Sequence, residues 1–495
     1  MIRNICDFLD ISVAKNPNKI AFVSGENSIS YAKFDEITNR VASQILRLNL
    51  KNEPVLIILP KSIEVLIAFL AVAKSGNFYT LLDGATPLDR IEQVKNILNP
   101  KLVITQKNFK FDCFDECEML FCDDFNKFDI DENLLKIARD THIDTNLLYV
   151  FFTSGSTGVP KGVSISHKSV IDYTFWVCET FKFSSDEILA NQAPFYFDNS
   201  ILDIFSTLKS GATLHILPTS IFAFPSKVLS YLKEHQISLI FWVPSVLVYF
   251  ANTNALDGLR LASLKKVLFC GEIMPNKQLN VWRKTLPNTL FANLYGPTEI
   301  TDVCAYYICD RDFSDDELLP IGKACKNTEL LVFDDELNLI KKPFIKGELY
   351  VRGTSLSLGY FANKQKTKEA FIQNPLHNNY QDILYKTGDI VAYNEFDELI
   401  CYGRMDAQIK LNGHRIELGE IETITNSHKE VLNSACIFKN SDITLFYEAK
   451  NELNLKSYLA CKLPNYMIPK KFILVNKFVL NQNGKIDRKV LSGLI

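Results

Sequence analysis

A strong net charge is missing from this chain. Its 54 Lys and Arg residues against 57 Asp and Glu leave −3. So balanced a composition gives no electrostatic footprint for nucleic acid or an anionic membrane. A long apolar run is also missing. The longest, Val65 to Ala73, is closed by Glu64 and Lys74, far short of the roughly 20 residues of a membrane span. The opening Met1-Ile2-Arg3-Asn4-Ile5-Cys6-Asp7 has no apolar core of an export signal. No Cys-x-x-Cys occurs. Cys113, Cys117 and Cys122 lie closest together among the twelve cysteines, and no histidine accompanies them, which argues against a zinc site. Reduced thiols in a cytoplasmic enzyme, most of them small core residues, fit better. Internal repeats and low-complexity tracts are absent too.

What is present is length and alternation. With 495 residues the chain is too long for one ordinary core. Helical spacing from Phe34 to Leu48 precedes an apolar strand from Pro54 to Leu59. A helix with an apolar face from Ser62 to Lys74 and a strand from Phe78 to Leu82 follow. Short strands are expected at Lys101 to Thr105 and Lys266 to Phe269. This is an α/β pattern with mostly parallel sheets flanked by helices. Residues 107 to 141, acidic and aromatic, read as an irregular excursion. The last ninety or so read as a separate small α+β unit. It has helices near Leu418 to Ser427 and Leu453 to Cys461, and strands near Ala435 to Phe438 and Ile443 to Tyr447. The expected division is 1–404 and 405–495.

The most informative stretch follows the apolar run Leu147-Leu148-Tyr149-Val150-Phe151. Thr153-Ser154-Gly155-Ser156-Thr157-Gly158 leads through Val159 and Pro160 to Lys161 and Gly162. Backbone N–H groups, hydroxyls and one cation in one loop suit a polyphosphate. A P-loop NTPase is excluded, because that motif ends Gly-Lys-Ser/Thr at a helix, whereas here Lys161 is followed by Gly162-Val163. A flexible Ser/Gly linker fits less well between two apolar segments in mid-domain.

Further segments appear in one order. They are Asn77 to Arg90, Phe197-Asp198-Asn199-Ser200, Asn293-Leu294-Tyr295-Gly296-Pro297-Thr298-Glu299, Gly347-Glu348-Leu349, Tyr385-Lys386-Thr387-Gly388-Asp389, Gly403 to Glu422, Leu463 to Pro469 and Asn483-Gly484-Lys485-Ile486-Asp487-Arg488. With the loop they resemble the adenylate-forming enzymes, specifically the amino-acid adenylation domains, from about Ser30 to Leu491. The resemblance implies attack of a carboxylate on the α-phosphate of ATP, with Mg²⁺ and loss of pyrophosphate. It implies that Thr153, Ser154, Gly155, Ser156, Thr157, Gly158 and Lys161 hold phosphate. Tyr295 would stack on adenine, with Asn293 near its amino group and Gly296 in the same turn. Thr298 would touch phosphate or the acyl group, and Glu299 would hold Mg²⁺. Asp389 would take the ribose hydroxyls, aided by Arg404. Lys485 would enter from the small unit as the catalytic cation, turning about Asp406. Each residue alone has a plainer reading: Glu299 and Lys485 as solvated charges, Tyr295 as core, Asp389 in an Asx turn.

The resemblance also bears on the acyl group. Asp198 would pair with a substrate α-ammonium, unless it merely caps the helix expected from Ile201 to Leu208, a task Ser200 could take. By motif offset Asn199, Leu202, Trp242, Leu268, Cys270, Leu294, Asp302 and Val303 would form the pocket wall. Phe269-Cys270-Gly271-Glu272 resembles the D-alanine–carrier-protein ligase branch, with Trp242, Asn199 and Asp302 as departures. The expected partner is a separate carrier protein bearing a phosphopantetheine thiol, since the sequence stops at Ile495. The alternatives are a coenzyme A ligase for another carboxylic acid, and a non-catalytic nucleotide-binding scaffold.

Overall fold

The computed structural model describes residues 2–495, except 110–111, 156–158, 254, 406–407, 480–485 and the side chains of 112 and 489. Two mainly parallel sheets face each other across the largest core. A six-stranded sheet runs in the order Glu118–Phe121, Leu102–Thr105, Pro54–Ile58, Phe78–Leu82, Leu147–Thr153 and Lys161–Ser166. Its last pair alone is antiparallel. A nine-stranded sheet carries Leu290–Tyr295, Lys266–Cys270, Leu239–Trp242, Ile188–Asn191, Thr213–Ile216 and Ile20–Ser24 in parallel.

The helix Ile63–Lys74 shows why the first core closes. It is apolar almost all round, and every residue but Glu64 is buried. A helix without a polar face belongs inside. By contrast Tyr31–Arg47 is amphipathic and starts at a capped end, where the Ser30 hydroxyl accepts Lys33 N–H.

One further feature fits a mixed set of mostly parallel sheets, and one departs from the sequence reading. A third sheet, built on Thr328–Phe333, Gly347–Gly353, Ile383–Tyr393 and Leu399–Arg404, is antiparallel. The stretch from 107 to 141 is also more regular than expected. It supplies the edge strand Glu118–Phe121 and a helix, Glu132–Thr141, capped by Asp131. Only Glu118 of the strand's four residues is charged, and pairing with Leu102–Thr105 fixes the run Met119-Leu120-Phe121 as a strand.

Beyond Arg404, a hairpin of Gln408–Leu411 and His414–Glu417 precedes the helix Leu418–Asn426. A three-stranded sheet of Asn433–Lys439, Asp442–Glu448 and Lys471–Val475 follows with its own core. This small unit sits with its hairpin against the large sheets.

Candidate active site

The site forms where the six-stranded sheet, the nine-stranded sheet and the hairpin meet. The phosphate-type loop leaves the strand Leu147–Thr153 at its C-terminal end. Gly155 is required there: a Cβ would lie 2.0 Å from the Val159 carbonyl oxygen. The Thr153 hydroxyl is buried with no hydrogen-bond partner among the described residues. Ser154 Oγ donates to the Arg415 carbonyl at 2.8 Å and accepts Glu417 N–H at 3.1 Å. Gly155 N–H donates to Glu420 Oε2 at 3.2 Å, while Glu420 Oε1 pairs with Arg90 at 2.7 Å. A carboxylate thus takes a backbone donor suited to phosphate. Lys161 lies 3.8 Å from Glu417 Oε1 and 5.4 Å from the centre of the Tyr360 ring. Burial, then Arg415, push its pKa down. Ser156, Thr157 and Gly158 lie outside the described residues.

Glu299 is fully buried beside this loop. Its Oε2 accepts from Arg415 Nη1 at 2.6 Å and its Oε1 from the Tyr360 hydroxyl at 2.7 Å. Burial opposes its charge, but Arg415 and Lys161 outweigh that and hold its pKa down to about 2. Opposite, the Tyr295 hydroxyl donates to Asp389. Arg404 Nη1 donates to Asp389 Oδ1 at 3.2 Å and to the Thr387 carbonyl at 2.9 Å. Asn293 Nδ2 donates to the Pro320 carbonyl at 2.8 Å. Gly296 lets the turn approach backbone, since a Cβ would meet Asp302 O at 2.4 Å. Lys410 of the hairpin places its ammonium 5.7 Å from the centre of the Tyr295 ring.

Asp198 is 8% exposed. Burial pushes its pKa up, while Thr298 and Lys410 act the other way. It does not cap the following helix, Ser200–Ser210, whose first turn has no side-chain cap. Ser200 does not either: its hydroxyl donates to the Phe197 carbonyl at 2.6 Å. Cys270 gathers the rest, since Asp302, Lys410 and Asp198 all act on its thiol. Leu202, Leu268, Leu294 and Val303 pack in the same core as Cys270.

Residues 9–361 match the family model for AMP-binding enzyme. The chain belongs to that family. This AMP-binding enzyme is 33% identical to "Zwittermicin A synthase ZmaJ" of Bacillus cereus, over 97% of its own length and 93% of that protein's. It is 31% identical to "D-alanine--D-alanyl carrier protein ligase" of Staphylococcus aureus (strain MRSA252), over the whole of both. Its fold matches holo-PA1221, an NRPS protein containing adenylation and PCP domains, at a TM-score of 0.85 and 21% identity. That match covers 100% of this chain and 84% of the other.

One expected wall residue of this AMP-binding enzyme is elsewhere. Trp242 pairs with Phe269, not with Leu268 or Cys270. Alternation along a strand therefore sends its ring to the other face of the sheet. There it packs on Phe222 and Phe250 and donates its indole N–H to the Ala190 carbonyl. Lys485 and Asp406 lie outside the described residues. Sequence reasoning missed Lys410, Arg415, Glu417, Glu420, Arg90 and Tyr360. The signal was available for four of them, as charges between apolar residues in the quoted stretch Gly403 to Glu422. Arg90 closes the quoted stretch Asn77 to Arg90 and was as legible, whereas Tyr360 lies in none of the quoted stretches.

Proposed function

We propose that this chain is an AMP-forming ligase that activates an amino acid with ATP and passes the aminoacyl group to a carrier-protein phosphopantetheine thiol. One observation carries the amino-acid reading. Asp198 is a buried carboxylate next to Thr298 that caps no helix, and a substrate α-ammonium supplies the missing counter-charge. The D-alanyl carrier protein ligase relative, matched over its whole length, supports both the substrate class and the acceptor.

The substrate carboxylate attacks the α-phosphorus of ATP and pyrophosphate leaves. The loop from Thr153 to Lys161 takes the leaving phosphates through N–H groups, hydroxyls and Lys161. Asp389 accepts the ribose hydroxyls once Tyr295 and Arg404 yield its oxygens, and Tyr295 stacks on the base. Thr298 and Lys485 orient the reacting carboxylate and phosphate. Glu299 suits Mg²⁺, being a hard oxygen donor that stays ionised. No cluster of three or more His, Cys, Asp or Glu capable of holding a metal occurs among the described residues. Glu299 would therefore hold Mg²⁺ together with ATP oxygens. Mg²⁺, when bound, neutralises charge on the leaving pyrophosphate.

The docked hairpin is incompatible with that step, because Arg415 occupies Glu299 and Glu420 occupies Gly155 N–H. The small unit, 405–495, therefore turns away from the core, 1–404, about Asp406 for adenylation. It returns to this arrangement for thiol transfer. Amino-acid-dependent ATP–pyrophosphate exchange tests the reading; exchange driven only by non-amino acids overturns it. Lys485→Ala is expected to abolish exchange while ATP binding persists.

A further inference from the structure

Two carboxylates of the small unit stand on the phosphate-type loop. Glu420 is fully buried and spans two donors of the large unit. Its Oε1 accepts from Arg90 Nη1 at 2.7 Å, and its Oε2 accepts from Gly155 N–H at 3.2 Å. Glu417 is 7% exposed. Its Oε1 lies 3.8 Å from Lys161 Nζ and accepts from Gln408 of the same hairpin at 2.5 Å. The loop's lysine and one of its N–H groups thus both face carboxylates, where a polyphosphate would bring its own anionic oxygens.

Arg90 enters this arrangement from outside the loop. It is 6% exposed and lies in the first turn of the helix Leu88–Leu98. Because one carboxylate touches both donors, the guanidinium stands within the width of a single carboxylate from Gly155 N–H. Its neighbour Asp89 is half exposed and pairs instead with Lys462 of the small unit, at 3.0 Å. Burial pushes the Glu420 carboxyl up, and Arg90 and the Gly155 N–H hold it back. When the small unit turns away for adenylation, Glu420 leaves with it. The guanidinium and the N–H then remain side by side without their anion, and a buried charge without a partner is costly. A phosphate presents a pair of oxygens much as a carboxylate does, and the arginine fork suits either.

Resting on the ATP-dependent ligase reading above, we propose that Arg90 and the Gly155 N–H form a cradle for a phosphate of the leaving pyrophosphate, and that Glu420 takes that phosphate's place when the small unit docks. Glu417 does the same at Lys161. Docking therefore requires that pyrophosphate has left, and bound pyrophosphate holds the small unit off. Adenylation and thiol transfer are kept apart by two anions competing for one cradle.

The test is calorimetric binding of inorganic pyrophosphate, with Mg²⁺ present, to the full chain as wild type, Glu420→Gln and Arg90→Ala. If Glu420 competes and Arg90 binds, the two variants move in opposite directions. Glu420→Gln should bind pyrophosphate at least threefold tighter than wild type, because the docked arrangement loses a charged contact. Arg90→Ala should bind it at least fivefold more weakly, and Arg90→Lys should recover part of that loss. If the Arg90–Glu420 pair merely bridges the two units, breaking it from either side frees the loop alike. Tighter or unchanged binding in Arg90→Ala therefore overturns the phosphate role of Arg90. Binding to Glu420→Gln no tighter than to wild type overturns the competition. Should Arg90→Ala not fold, Arg90→Gln carries the same expectation. Amino-acid-dependent exchange judges the parent reading separately: its absence with every amino acid sinks that reading, while the pyrophosphate affinities alone decide the cradle.

Discussion

Gly155 illustrates how much one residue decides here. A methyl group on it would stand 2.0 Å from a backbone oxygen, an atom that cannot step aside as a side-chain tip can. Gly155→Ala should therefore deform the phosphate loop. We expect at least a tenfold rise in KM for ATP, with the melting temperature shifted by only a few degrees. Asp389 makes a related case. Its two oxygens are taken by Tyr295 and Arg404. Asp389→Asn should weaken ATP binding by about 1.5–3 kcal/mol, the usual worth of a hydrogen bond to a charged group. Equilibrium binding of ATP checks this. At this scale the motifs named Glu299, Asp389 and Asp198, and all three side chains are buried. Trp242 was misplaced because motif offset does not report strand parity, and parity decides which face of the sheet receives a side chain.

At the scale of elements, the hairpin of Gln408–Leu411 and His414–Glu417 matters most. Its turn is held by Glu272, whose Oε1 accepts Gly413 N–H at 3.1 Å. The other oxygen, Oε2, accepts Ser245 N–H at 2.9 Å, at the start of the helix Pro244–Asn252. Glu272→Ala should release the turn in the docked arrangement only. We expect slower aminoacyl transfer to the carrier thiol, by about tenfold, with pyrophosphate exchange kept within about twofold. Transfer unaffected by the change would remove Glu272 from this role. The strands and helices themselves were largely legible, since periodicity and apolar runs mark them. Phe78–Leu82 lies where the sequence put it. The edge strand Glu118–Phe121 was not legible, because its apolar run is only three residues long inside an acidic stretch and pairing completes it.

For the whole molecule, three buried histidines contribute a loss of stability in acid. His167 and His414 are pushed down to about 3 and His215 to about 4, each by burial. His167 accepts Ile5 N–H on Nδ1, as only a neutral ring can. The unfolded chain takes these protons below about pH 6.5 and the folded chain does not. Stability is thus full above that value and falls as pH drops toward 4, by up to about 1.4 kcal/mol per pH unit for each histidine. Glu299 adds to the loss further down. Its contribution is present above the ordinary carboxylate range and disappears as pH falls toward 2. Asp203, pushed up to about 7 by burial, works the other way over the same window, so the histidine contribution is read by calorimetry as the difference in melting temperature between wild type and His414→Phe from about pH 7.5 to 4.5. His414 also stacks on Tyr466, 3.8 Å between ring centres, and meets Phe197 edge-on. His414→Phe should therefore flatten part of the slope.

The sequence by itself determined the α/β class, the phosphate-type loop and the family resemblance, because each is written in contiguous residues whose local chemistry is sufficient. Only the tertiary structure decided that Arg415 and Glu420 close on Glu299 and Gly155. It alone decided that Trp242 faces away, and that the Tyr173 hydroxyl reaches Asp302. Those facts depend on partners more than a hundred residues apart or on the face of a sheet. Neither is carried by local composition, and both are fixed only when the chain packs.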